Sequence, residues 1–359
     1  MNTKLLTFNE AIQKSKNHKK RHLLLGNGFS IAYKYDIFTY KSLLDESDFS
    51  ELPEVRKVFD LLDTVDFEAI IKSLQECSKI ISAYGIDKAL QDKISEHSEK
   101  LKSTLVNTLA GKHPEGPFDI SESQYQNARK FLSYFVGENE KGNIYTLNYD
   151  LLLYWVLMHE EETFVATQKI ELSKDDGFGK EKGNEEASYV IWKGESNAHG
   201  QRVHYLHGAL HLFDAGKELK KFTWTNTGRR LIEQTREAMN EEMYPLFVAE
   251  GTSEQKLTKI KHSGFLYHSF KSFSKTMEIE TNCLFIFGHS LAENDMHILN
   301  KISEGKISEV YISIYGDIES ELNKSIVHTA NLLIEQRRQS NGKKPLNVIY
   351  YDASSANIW

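Results

Sequence analysis

The chain has 359 residues, which is ample for a large core and fits two domains or one domain with an insertion. Its hydrophobic and charged fractions, 40% and 26%, are those of an ordinary folded protein, and a net charge of −7 disfavours broad nucleic-acid binding. No apolar run is long enough to cross a bilayer, residues Met1 to Lys20 are polar and lysine-rich, and two cysteines cannot by themselves make a four-ligand zinc site.

Cys77 lies in a helical pattern and Cys283 in a strand pattern, so both are expected as buried thiols in a reducing cytoplasm. The first element is an apolar run from Arg21 to Leu25 that requires burial on both sides. It ends at Gly26-Asn27-Gly28, and a periodic segment, Phe29 to Leu44, then begins. This predicts a buried parallel strand, a tight turn and a helix start. Glycines at such a turn let the backbone approach a ligand, and the N–H groups of the next helix can hold phosphate. A plain tight turn explains the glycines equally well, because Ile31 stands where a dinucleotide fingerprint has its third glycine.

Tyr33 to Leu44 is aromatic-rich and reads as a lid or helix that could cover a ligand, or as a packed loop, with Asp36 and Phe38 inside it. From Leu52 to Gly111 the pattern is helical. Val55, Val58, Phe59 and Leu62 fall on one face, and Phe67, Ile70, Ile71 and Leu74 on another. Gly85 and the stretch Gly111 to Pro117 break it, and Ser121 to Phe135 forms a further helix. Residues 52–136 are therefore read as a helical insertion.

A second strand, Asn143 to Leu147, ends at Asn148-Tyr149-Asp150 and runs into a helix, Leu151 to Met158. Residues 160–250 read as an irregular, small subdomain. Within it, Arg202 to Leu206 is a third strand ending at His207-Gly208. Short strands follow at His211 to Phe213, Phe222 to Trp224 and Tyr244 to Glu250, with a helix over Gly228 to Met239. Glu254 to Met277 is helical. Thr281 to Phe287 is a buried strand that stops at Gly288-His289-Ser290-Leu291, and a helix starts at Asp295, read as its cap. Strands at Val310 to Tyr315 and Val348 to Tyr351 flank a helix from Ile318 to Arg337. Strands alternating with helices imply an α/β fold of Rossmann-like, doubly wound type over residues 1–359.

Four strand ends carry unusual residues, and their order resembles the sirtuin (SIR2) superfamily. That family has a Gly-rich loop, a T-Q-N-x-D motif, a catalytic His-Gly and a G-T-S-L motif. The corresponding stretches here are Gly26 to Ser30, Thr146-Leu147-Asn148-Tyr149-Asp150, His207-Gly208 and Gly288 to Leu291. Phe247 to Glu250 also resembles the family's F-G-E stretch. The paired cysteines of the deacylases' zinc ribbon are missing, Leu147 replaces the glutamine, and only Asp36 and Phe38 remain of a D-F-R lid. The chain thus looks like the bacterial SIR2-like proteins of the DUF4917 type, which resemble NAD-cleaving antiphage effectors.

The resemblance implies an NAD hydrolase releasing nicotinamide and ADP-ribose. NAD is the substrate, no metal is required, and a homo-oligomer or partner protein controls the activity. An NAD-dependent deacylase or ADP-ribosyltransferase, or a non-catalytic NAD or ADP-ribose sensor, stays open. The implied catalytic residues are Asn148, His207 and Asp150. Gly26, Asn27, Gly28, Phe29, Ser30, Asp36, Phe38, Gly288, His289 and Ser290 are the implied binding residues. The chemistry agrees, because an amide can orient water or a ribose hydroxyl and a histidine can take a proton near neutral pH. Asn148 as a helix cap and His207 as a satisfied core histidine are the structural alternatives. His204, three residues before His207, should point to the opposite face of its strand, which disfavours a site of three histidines with His211.

Overall fold

The computed structural model describes residues 5–114, 116–159, 170–183, 186–194, 200–215, 218–223, 233–234, 237–238, 245–249, 251–340 and 344–359. Numbered along the chain, the strands are β1 (Lys20–Leu25), β2 (Ile144–Thr146), β3 (Phe178–Gly179), β4 (Tyr189–Trp192), β5 (Val203–Tyr205), β6 (Gly208–Asp214), β7 (Leu219–Phe222), β8 (Pro245–Phe247), β9 (Asn282–Phe287), β10 (Glu309–Ile314) and β11 (Asn347–Asp352). Six of them form one sheet in the order β11-β10-β9-β1-β2-β5, and every pairing is parallel. The chain builds outward from β1 through β2 to β5, then returns to the other side of β1 for β9, β10 and β11. The order therefore reverses between β1 and β9.

Central strands of a parallel sheet are covered on both faces and read as continuous apolar runs. All six residues of β9 and the last four of β1 are buried accordingly. The register sets Leu23 beside Phe285 and Leu24 beside Ile286 and Tyr145. Adjacent rows point to opposite faces. On one face Phe8 and Phe135, from helices Phe8–Lys14 and Glu122–Val136, meet the ring of Phe285. On the other, Phe273 of helix Gly264–Met277 meets the ring of Tyr145.

The connection from β1 to β2 is helical. Residues 29–44, read as one periodic segment, are broken into Gly28–Tyr33, Tyr35–Phe38 and Tyr40–Glu46. Helices Pro53–Leu61, Phe67–Tyr84 and Lys88–Lys112 follow. Asp66 and Asp87 cap the second and third of these with their side chains. Gly85, at φ 63°, ends the second in the left-handed conformation that glycine tolerates. Two expectations fail here. Leu62 is the C-cap and 51% exposed rather than part of the apolar face, and Cys77 is exposed because it falls on the outer face of its helix. Cys283 is buried in β9.

The second sheet is antiparallel, in the order β3-β4-β7-β6-β8, and it fills the region read as irregular. β6 begins at Gly208, directly after His207, so His207 sits at the junction of the two sheets. The stretch Glu254 to Met277 is two helices, Ser253–His262 and Gly264–Met277, because Ser263 leaves the helical conformation and caps the second with its hydroxyl. The helix read over Gly228 to Met239 and the residues Trp224, Tyr244 and Glu250 lie outside the described residues, apart from four positions of that helix. Among the described residues, no helix is long and apolar enough to cross a membrane.

Candidate active site

The loops that leave β1 and β9 touch at the point where the strand order reverses. The Gly26 N–H donates to the Phe287 carbonyl at 2.9 Å and the Gly28 N–H to the Gly288 carbonyl at 2.7 Å. A Cβ on Gly28 would lie 2.5 Å from the Gly288 Cα, and one on Gly26 would lie 2.6 Å from the Gly288 oxygen. Backbone meets backbone here, so both positions require glycine whatever else the loop does. The Phe29 and Ser30 N–H groups are bonded within the turn, to the Gly26 and Asn27 carbonyls. The Asn27 amide holds the Phe38 carbonyl at 2.8 Å, and the Trp359 indole donates to the Phe29 carbonyl at 2.8 Å. Trp359 thus holds the segment that follows the glycine loop, its ring packed on that of Phe29.

A first polar group lies beneath this loop. Asp150 accepts the Ser30 hydroxyl on one carboxylate oxygen and the Leu152 N–H on the other. The Asn148 amide donates to the same Ser30 hydroxyl at 3.2 Å. The Asn148 N–H donates to the Thr146 hydroxyl. Asn148 therefore does not cap the following helix; the carboxylate that reaches that helix's first turn is Asp150. All three side chains are buried, and burial pushes the Asp150 carboxyl above its ordinary range, with the Ser30 and Leu152 hydrogen bonds opposing it.

A second group surrounds His207. Its Nε2 lies 3.1 Å from the Nε2 of His297 and 3.8 Å from Asp295. Asp295 binds the Lys256 ammonium at 2.9 Å through one oxygen and His289 at 3.0 Å through the other. Lys256 also holds Glu68 at 2.6 Å, and Glu68 accepts from Asn294 at 2.6 Å and from the Tyr149 hydroxyl at 3.1 Å. Ser253 accepts the His297 N–H at 2.6 Å. Burial holds His207 well below the ordinary histidine value, with Asp295 opposing, and lowers His297 to about 4. Both imidazoles are therefore neutral at pH 7, and one Nε2 carries the proton that the other accepts.

One ammonium stands between two carboxylates, Glu68 buried and Asp295 half-buried. Burial raises both carboxyls and lowers the ammonium, and the charges decide the outcome. Lys256, raised by its two partners, compensates Asp295. Asp295 is also bonded to His289 and is held well below the ordinary carboxylate range. Glu68 is left with burial and two acidic neighbours, which outweigh Lys256 and push it up to about 7. His207, His297 and Asp295 also have the composition of a cation site, with ligand atoms within 4.8 Å of one another. In the present arrangement the Lys256 ammonium already supplies the positive charge to Asp295.

Of the residues singled out from the sequence, Ser30, Asn148 and Asp150 come together, and His207 and His289 come together around Asp295. Gly26, Gly28 and Gly288 build the loop contact between the groups. Asn148 and His207 share no hydrogen bond. Asp36 and Ser290 are exposed, and Phe38 is buried against His113. The Asp295 side chain makes no cap bond, contrary to its reading as a helix cap. Leu291, at φ 54°, is a leucine held in the left-handed region, and its N–H bonds to the His289 Nδ1. His204 turns away from His207, to Ser272 and the ring of Tyr145, as its strand position implied. Glu68, Lys256, His297 and Tyr149 were missed. The available signal was phase: Glu68 lies three residues before Ile71 and Lys256 four before Ile260, so both charges fall on buried helix faces.

These features define a mixed α/β protein with a six-stranded parallel sheet and two buried polar groups beyond its carboxyl edge. The model of the family described as a domain of unknown function, DUF4917, matches residues 23–359, and the chain belongs to that family. A comparison with curated proteins finds no match.

Proposed function

We propose that the protein is a SIR2-like NAD hydrolase that cleaves the nicotinamide–ribose bond, and that it acts as an effector of bacterial antiphage defence in the cytoplasm. The observation that carries the reading is convergence. Ser30, Asn148, Asp150, His207 and His289 follow four different strands, yet all lie beyond the carboxyl edge beside the reversal between β1 and β9. Counted in chain order, the six strands run 3-2-1-4-5-6, the Rossmann order of dinucleotide-binding sheets, whose ligands sit in that crevice.

In this reading the departing nicotinamide leaves positive charge on the ribose carbon, and a water attacks it. The Asn148 amide orients that water or a ribose hydroxyl. Neutral His207 takes the proton released as the new C–O bond forms, giving nicotinamide, ADP-ribose and one proton per NAD consumed. Asp150 holds Ser30 and so fixes the hydroxyl that meets Asn148. The chemistry routes nothing through a metal, and control by self-association or a partner protein fits an activity that would otherwise drain the cell of NAD.

Asn148, Asp150 and His207 are all buried, and the N–H groups of Gly28, Phe29 and Ser30 are bonded internally. NAD binding therefore requires the Gly28–Phe38 segment to part from Gly288. This closure favours a second reading, a sensor that binds NAD or ADP-ribose and changes shape without turnover. Incubating the purified protein with NAD and measuring nicotinamide and ADP-ribose decides between the two. Stoichiometric formation of both products supports the hydrolase, and binding without products supports the sensor.

A further inference from the structure

The other end of the sheet holds a cavity of about 360 Å³. It lies at the amino edge, where Lys20 opens β1, Asn143 precedes β2, Arg202 precedes β5 and Asn282 opens β9. The carboxyl half of helix Gly264–Met277 forms its wall and contributes Lys271 and Lys275. The length of β1, six residues at roughly 3.3 Å each, separates it from the candidate active site.

Four permanent cations, Lys20, Arg202, Lys271 and Lys275, line the cavity, and no carboxylate among the described residues does. None of the four forms an ion pair among the described residues. In a chain of net charge −7, four half-buried or exposed cations around one cavity are thus left without a neighbouring carboxylate. The positive potential shows in its neighbours. Burial first, then Lys20 and Arg202, lower His22, while burial, His268, His22 and Arg202 lower His204; no acidic group opposes either shift.

The cavity also presents an unused donor. The Asn143 N–H donates to the His22 Nδ1 at 3.0 Å, so the proton of the neutral ring is on Nε2. That Nε2 is buried and has no partner, although His22 lines the cavity and is only 2% exposed. The Nδ1 of His204, equally buried, is unpartnered as well. A buried N–H costs free energy unless something accepts from it. An anionic oxygen here would satisfy the His22 donor and compensate the four cations at once.

We propose that this cavity is a binding site for a small phosphorylated molecule carrying at least two negative charges, of mononucleotide size or smaller. A polyphosphate matches four cations spread around one cavity better than a single carboxylate does, and the volume is at the small end of ligand sites. The recessed His22 donor favours a short ligand that enters end-on over a continuous nucleic-acid strand. The site is independent of the NAD reading, because it shares no residue with the candidate active site.

The test is calorimetric titration of the full chain with pyrophosphate, ADP and a single-stranded oligonucleotide. Expected are micromolar binding of pyrophosphate or ADP that weakens as salt is raised, and at least tenfold weaker binding in the double variant Lys271→Ala, Lys275→Ala. Both side chains reach solvent, so the fold should tolerate the change, and an unchanged melting profile would establish that it does. The control is Lys324→Ala, Arg338→Ala on helix Glu321–Gln339, which removes the same charge elsewhere. Absence of phosphate binding at millimolar ligand, equal weakening in the two double variants, or binding of the oligonucleotide alone would each overturn the proposal.

Discussion

The charge state of Glu68 gives the sharpest physical test of the buried cluster. Its carboxyl is pushed from an ordinary 4.5 to about 7 by burial, which outweighs Lys256, and it is only 5% exposed. In the unfolded chain the same group releases its proton near the ordinary value. The folded state therefore holds this proton over the window from about pH 4.5 to 7. The stability it contributes is full below that window and is lost as pH rises through it. At about 1.4 kcal/mol per pH unit over some 2.5 units, the loss is a little over 3 kcal/mol by about pH 8. Glu68→Gln keeps the shape and cannot titrate, so the difference in unfolding free energy, wild type minus variant, should fall by roughly 2–3 kcal/mol between pH 5 and 8, the remainder being lost below pH 5. Taking the difference cancels the buried histidines, whose lowered values act with the opposite sign. Urea unfolding at half-unit pH steps measures it. A difference flat across this range would show that Glu68 is ionised throughout and that Lys256 compensates both carboxylates.

Asn148→Ala and His207→Ala should each reduce nicotinamide release by about 10²- to 10⁴-fold per folded molecule, the usual loss for a positioned acid–base group. Near-wild-type rates for both would remove the hydrolase reading. Gly28→Ala drives a Cβ to 2.5 Å from the Gly288 Cα and should destabilise by about 1–3 kcal/mol, whereas Gly111→Ala, in open space within a helix, should stabilise by up to about 1 kcal/mol. Equal melting temperatures for the two variants would refute the tight contact between the loops. Elemental analysis of the purified protein should find no stoichiometric zinc, since the Lys256 ammonium stands on Asp295. An ion held by His207, His297 and Asp295 would refute that prediction and require Lys256 to be displaced.

The parallel strands were legible because burial on both faces leaves an unbroken apolar run. Leu23 to Leu25 and Cys283 to Phe287 could not belong to a half-exposed element. The start of helix Glu122–Val136 was legible at its cap, Ser121, whereas the caps Asp66 and Ser320 were passed over, the first inside one long helical pattern and the second behind a start read at Ile318. The antiparallel sheet was not, because β3, β4 and β7 are short and half-exposed and alternate weakly. At the site, turn-forming residues at strand ends revealed Asn148, Asp150 and His207. The charged partners were hidden because they come from helices: Glu68 from between β1 and β2, Lys256 from between β8 and β9. No local pattern brings those two segments together. Asp295 was misread for the same reason, since at a helix entry an aspartate that caps and one that holds a distant ammonium look identical in sequence.

Tyr149 ties the two polar groups into one structure. Its backbone lies between Asn148 and Asp150, and its carbonyl accepts the Leu210 N–H beyond β5. Its hydroxyl reaches the other way, to Glu68 and, at 2.7 Å, to the Val248 carbonyl. The Val248 N–H in turn donates to the His207 carbonyl at 2.9 Å. One phenol thus joins Glu68 to the backbone that presents Asn148, and the Val248 peptide joins that phenol to His207. The Lys256 ammonium adds to burial in keeping the histidines of the cluster neutral, because it already compensates Asp295. A neutral imidazole is the form that can accept a proton. Burial first, and then the Lys256 ammonium, hold His207 in the neutral form against an aspartate 3.8 Å away that favours the protonated one.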